Sequence, residues 1–245
     1  MNIHVLLSPL NVDELYFTNK TTVVIDVLRA TSVICKAIEE GAKEIIPVST
    51  VDFAMKISGN AHGGQTLLCG ERNTKMVEGF NLGNSPDEYA ADTVAGKSII
   101  LFTTNGSKAI LKAKFSQNLF ICSFNNLKTV AKKLIDLNVD VEILCAGSNG
   151  MFCIEDTVCA GRLIAEIEKT NSDLSVSDSG KACRVLHSKF GRSVRSMLAE
   201  CEHGKLLIEN GFSADLEYCS KLNNSSVIPF FDGGVIKFLK DQTSD

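Results

Sequence analysis

Apolar, β-branched runs recur along the chain at 2–7, 22–27, 44–48, 66–69, 97–102, 118–122, 141–145 and 227–231. They are short and continuous rather than alternating, as expected of strands in a sheet covered on both faces. Between many of them the spacing becomes helical. ATSVICKAIEEGA ends on Gly41 as a C-cap. NGSKAILKAK runs from Asn105, and NNLKTVAKKLIDLN and IEDTVCAGRLIAEIEK are amphipathic. Strands alternating with helices predict an α/β sandwich with a largely parallel sheet. The rhythm breaks at 170–180, TNSDLSVSDSG, which reads as a polar loop. The sequence then predicts helices without a strand until the sheet resumes at VIPFF. One domain over residues 1–245 is expected, with a helical excursion at about 178–222.

A chain of 245 residues with 44% hydrophobic and 22% charged positions has the composition of a soluble globular protein. No apolar run approaches the roughly 18 residues of a membrane span. The first residues lack the charge and apolar pattern of a signal peptide. The net charge of −4 argues against a nucleic-acid partner, so any anionic ligand needs local positive charge. Nine cysteines without a C-x-x-C pair argue against a zinc ribbon or thioredoxin motif. They fit small buried hydrophobes in a reducing compartment, so a cytoplasmic location is expected.

In open α/β sheets ligands bind beyond the carboxyl ends of strands. Those ends carry Asp26, Arg29, Thr31 and Ser32 after the second run, and Glu71, Arg72, Asn84 and Ser85 after the fourth. Thr103, Thr104, Asn105 and Gly106 follow the fifth, Glu155 and Asp156 the seventh, and Asp232 the last. Threonine, asparagine and glycine before a helix suit phosphate. Each group also has a plain reading as a turn, a cap or a first-turn acid. Asp26, driven to the end of a buried strand, is expected to have a cation near it, either a structural partner, Arg29 or Arg72, or a cation that is part of a site. His4, His62, His187 and His203 are scattered, whereas oxygen donors cluster, which suits magnesium. Walker A, G-x-G-x-x-G, H-E-x-x-H and G-x-S-x-G patterns are absent. Leu28 stands where an aspartate-nucleophile phosphatase needs a second Asp.

Taken together, VIDVLRATSVI, GERNTKMVEGFNLGNSP, LFTTNGSKAIL, CAGSNGMFCIEDTVCAGRLI and VIPFFDGGVI resemble the 2-phosphosulfolactate phosphatase family, in the family's order. The resemblance implies a three-layer α/β/α sandwich with a mixed sheet. It also implies a magnesium-dependent phosphatase that hydrolyses 2-phospho-3-sulfolactate, or a related small acidic phosphomonoester, in a step toward coenzyme M. Asp26, Glu155 and Asp156 are then candidates to hold the metal or activate a nucleophile. Arg29 and Arg72 offer planar forks to anions, and Thr31, Ser32, Glu71, Asn84, Ser85, Thr103, Thr104, Asn105, Gly106 and Asp232 line the substrate. The alternatives are a non-catalytic small-anion-binding module and a phosphoryl-transfer enzyme of other specificity. The expected partner is a small phosphorylated acid, with no nucleic acid or membrane, and a homo-oligomer is left open. The basic segment KACRVLHSKFGRSVR is a candidate to steer a polyanion toward the site, against its plain reading as a solvated helix face.

Overall fold

The computed structural model describes residues 1–10, 12–59, 65–171 and 173–239. His62 lies outside the described residues. The strands are β1 (Asn2–Leu6), β2 (Thr21–Ile25), β3 (Glu44–Val48), β4 (Thr66–Arg72), β5 (Lys75–Met76), β6 (Ser98–Phe102), β7 (Asn118–Cys122), β8 (Val141–Cys145), β9 (Ser175–Val176), β10 (Pro229–Asp232) and β11 (Val235–Phe238). The helices are α1 (Ala30–Glu39), α2 (Val51–Ser58), α3 (Ala91–Val94), α4 (Gly106–Lys112), α5 (Leu127–Leu137), α6 (Ile154–Glu168), α7 (Asp178–Phe190), α8 (Val194–Glu200), α9 (Glu202–Glu209) and α10 (Ser213–Cys219). The fold is an α/β sandwich with a mixed, largely parallel sheet, as the alternating pattern predicts. Among the described residues no helix is long and apolar enough to cross a membrane.

The strand order is β5-β4-β6-β3-β11-β10-β7-β2-β8-β1-β9. Two parallel runs, β4–β6–β3 and β7–β2–β8–β1, are joined by the antiparallel hairpin β10–β11. The side-chain period of two assigns each strand two cores. Val23 and Ile25 of β2 pack with Val130 of α5 and Val158 and Leu163 of α6. Ile100 and Phe102 of β6 pack with Ala54 of α2. The opposite faces share one cluster: Val24, Ile45, Cys69, Ile99 and Leu101 surround Ile34 and Ala37 of α1 and Ile110 of α4. The two half-sheets therefore face each other across α1 and α4. Burial of each large aliphatic side chain there contributes about 1.5–3 kcal/mol relative to exposure.

This bend decides where the site forms. β2 and β6 are five places apart in the strand order. Yet Gly106, which opens α4 after β6, is so close to the end of β2 that a Cβ there would lie 2.5 Å from Asp26 Oδ2 and 2.4 Å from Ala30 Cβ. Only glycine permits that approach. A second close approach is at Gly70 of β4, where a Cβ would meet the Phe102 carbonyl oxygen of β6 at 1.8 Å.

Three elements depart from the sequence reading. The stretch expected to be a loop contains β9, which pairs with β1, and the start of α7. Ser177 caps that helix and Asp178 and Ser179 stand in its first turn: Ser177 Oγ accepts from the Gly180 N–H at 3.2 Å. The last strand begins two residues later than expected and returns as β11 through Gly233 and Gly234, both with positive φ. Helix α2, capped by Thr50, was not foreseen. Gly41 has φ +87° just past the last residues of α1, the left-handed stop expected there.

Candidate active site

Asp26 ends β2 and is 5% exposed. The two hydroxyls after it shape the turn rather than face the cleft. Thr31 Oγ1 donates to the Asp26 carbonyl at 2.8 Å, and Ser32 Oγ to the Val27 carbonyl at 2.9 Å. Both threonine and serine are buried. Among the described residues the carboxylate itself receives the Ala30 N–H alone, at 3.3 Å on Oδ1. Its pKa is pushed up to about 7, by burial first and by the charges of Glu71 and Glu155, against the Ala30 N–H and Arg29.

Glu155 and Asp156 open α6 with the positive end of the helix behind them. Asp156 is a clamp between strand ends: Oδ1 accepts from Val27 N at 2.8 Å and Oδ2 from Gly147 N at 3.0 Å. Burial, then the charges of Asp26 and Glu155, raise its pKa well above the ordinary range. Burial also raises that of Glu155, against hydrogen bonds that include the thiols of Cys201 and Cys153. Three acids thus lie within one another's electrostatic field. Among the described residues no group of three or more His, Cys, Asp or Glu side chains forms a ready metal cage.

Arg29 does not pair with Asp26. Its Nη1 donates to Asp215 Oδ2 of α10 at 2.5 Å, and its Nη2 to the Thr74 carbonyl at 2.7 Å. Ser85 Oγ donates to the other oxygen of Asp215, at 2.5 Å. Arg72 is not the partner of Asp26 either; it is exposed, with its guanidinium carbon 5.8 Å from the Phe102 ring centroid. The expectation that Asp26 carries a neighbouring cation as an ion pair is therefore corrected.

Glu71 ties the β4 and β6 ends together. Its Oε2 accepts from Thr74 N at 2.9 Å and its Oε1 from Thr104 N at 2.7 Å. Thr103 caps α4, with Oγ1 accepting from Ser107 N at 2.9 Å. Asn105 Oδ1 accepts from Asn149 N at 2.9 Å, which joins this turn to the β8 loop. Thr104 lines a cavity of about 480 Å³ with Ser49, Arg72, Asn73 and Lys108. Arg72 and Lys108 have no ion-pair partner among the described residues.

Asp232 ends β10 at the amino end of β7 and, through its β11 partner Val235, level with the carboxyl half of β3; among the described residues no side-chain hydrogen bond ties it to the other strand-end residues. Three of the five cations of the basic segment are paired at the surface, Lys181 with Asp178, Arg184 with Glu168 and Arg195 with Glu217, whereas Lys189 and Arg192 have no ion pair among the described residues.

Residues the sequence reading missed are Asp215, Thr74 and His203. No local pattern marks Asp215, which is 186 positions from Arg29. His203 of α9 is half-buried, and burial, then the charge of Arg29, lowers its pKa. It lines a second cavity of about 340 Å³ beside Glu155, with Phe152, Phe190 and Met197.

The family profile described as 2-phosphosulpholactate phosphatase matches residues 7–234. A Clostridium tetani protein named "Probable 2-phosphosulfolactate phosphatase" is 38% identical over 238 residues, 97% of this chain and 100% of its own. One from Clostridium acetobutylicum with the same name is 36% identical over 236 residues, 96% of this chain and 100% of its own. One from Symbiobacterium thermophilum, again so named, is 35% identical over 221 residues, 90% and 95% of the two chains. With matches of this extent, covering every strand end that forms the site, the chain belongs to the 2-phosphosulpholactate phosphatase family.

Proposed function

We propose that this protein hydrolyses 2-phospho-3-sulfolactate to 3-sulfolactate and phosphate, with magnesium as its cation, in a step toward coenzyme M. Family membership supports the substrate class. The observation that carries the chemistry is Asp26, a buried strand-end carboxylate among other acids, with no ion-pair partner and a pKa pushed up to about 7. Magnesium takes one or two protein carboxylates and completes its shell with water and substrate phosphate. Asp26 and Glu155 fit that need, since neither is held by a cation and a bound cation relieves their mutual repulsion.

Bound magnesium supplies positive charge to the phosphoryl oxygens, where most of the barrier to such esters lies. The chain's own residues do the rest. Arg29 meets one oxyanion of the substrate with a donor that no protein group occupies. Asp26 would be an oxygen ligand of that cation, which would hold its carboxylate ionised although burial alone raises its pKa. Water adds to phosphorus, the ester P–O bond breaks, and the proton of the water ends on the sulfolactate hydroxyl. Arg72 and Lys108, at the mouth of the polar cavity, receive the carboxylate or sulfonate. Asp156 keeps the β2 and β8 ends in register.

The test is phosphate release from 2-phospho-3-sulfolactate in the presence of magnesium, with ATP as comparison. Release from the sulfolactate ester and none from ATP is expected. No release from the ester, or preference for the nucleotide, contradicts the reading.

A further inference from the structure

The network around Arg29 is incomplete in one direction. Its guanidinium is among the most buried groups of the protein, with a side chain 1% exposed against 2% for Asp215. Two of its nitrogens are bonded, to Asp215 and to the Thr74 carbonyl, and its Cζ is 4.5 Å from the Phe212 ring centroid. Nε has no partner. Buried donors are almost always satisfied, and a purely structural ion pair gains most when every proton is bonded. Among the described residues five buried side-chain polar atoms lack a partner, and besides Arg29 Nε they include Thr74 Oγ1 and Asn84 Oδ1, the others being His187 Nδ1 and the Tyr218 hydroxyl. Thr74 gives its carbonyl to Arg29, and Asn84 precedes the serine that bonds Asp215. Three unsatisfied polar atoms thus belong to the residues that build or adjoin one ion pair.

We infer that Asp215 is a positioning residue: it grips one edge of the Arg29 guanidinium, so that Nε and the Thr74 hydroxyl are aimed at an oxyanion of the ligand. The carboxylate from α10 sets the plane of the guanidinium, and Ser85 fixes the carboxylate. The chemical class of ligand is a tetrahedral or planar oxyanion: phosphate, sulfonate or carboxylate. Only the choice among these rests on the phosphatase reading. This gives the helical excursion a task, because α10 is the element that delivers the counter-ion.

A double-mutant cycle tests it, with Arg29→Gln, Asp215→Asn and the pair, each assayed well below its melting temperature. The cycle is read twice, as kcat/KM for 2-phospho-3-sulfolactate and as the Kd of inorganic phosphate by calorimetry. Misplacing a positioning group costs on the order of 10²-fold, so Asp215→Asn is expected to weaken both readouts by about that factor. In the Arg29→Gln background it is expected to add nothing. Should Asp215→Asn fail to fold, Ser85→Ala takes its place in the cycle, with a smaller loss of the same kind. Additive losses, undiminished phosphate affinity in the variant, or a wild-type protein that does not bind phosphate would each overturn the inference. A wild-type protein that binds phosphate but leaves the ester intact sinks the proposed function alone.

Discussion

Asp26 and Asp215 are both buried aspartates in the field of Arg29, and burial raises the pKa of each. Their surroundings are opposite. Asp215 receives two hydrogen bonds of 2.5 Å, from Arg29 and from Ser85, and its charge is balanced. Asp26 receives one amide at 3.3 Å and faces Glu71, Glu155 and Asp156. The comparison separates two uses of a buried acid. Where a cation and a hydroxyl converge on it, the acid organises the protein. Where further acids converge on it, negative charge is crowded, and that crowding is what the proposed cation would relieve.

The largest expected effect breaks this comparison at Asp26. Asp26→Asn abolishes turnover, while Asp215→Asn only weakens it. Stability should move the other way. Asp26 holds its proton up to about pH 7 when folded, against an ordinary value of 3.8. The folded state therefore binds more protons than the unfolded one between those values, and stability falls as pH rises through that window. Asn has no proton to lose, so the metal-free variant is expected to melt above the wild type at pH 8 and to match it more closely at pH 4. A lower melting temperature at pH 8 would return Asp26 to a structural role.

A smaller effect sharpens the same region. Gly106→Ala places a Cβ against Asp26 Oδ2 and Ala30, at 2.5 Å and 2.4 Å before relaxation. The expected outcome is a loss of about 1–3 kcal/mol in stability, as for overpacking generally, with a fall in kcat. Unchanged denaturant midpoint and kcat would show that the start of α4 and the end of β2 do not meet as tightly as Gly106 implies.

The strand-end logic read Asp26, Glu71, Glu155 and Asp156 from sequence because each ends or follows a continuous apolar run, and that signal is local. Asp232 also follows such a run, but it precedes the Gly233–Gly234 turn of an antiparallel hairpin that joins two oppositely directed parallel runs, and its end is at the amino end of β7. The Asp26–Arg29 pairing failed. Three residues apart, they fall on a turn that directs them to different partners, and the partner of Arg29 comes from α10. A long-range ion pair leaves no period or motif. The fold class was legible from the change of period; the bend that brings β2 to β6 was not, because it depends on the hairpin between them.

The most direct test of the central claim, that Asp26 and Glu155 form a charge-deficient site completed by a cation, is magnesium binding measured on metal-stripped protein. Wild-type protein is expected to release no phosphate from 2-phospho-3-sulfolactate in EDTA, to recover with added magnesium, and to show a binding isotherm that Asp26→Asn lacks. Full activity in chelator, or an isotherm unchanged in Asp26→Asn, would contradict it.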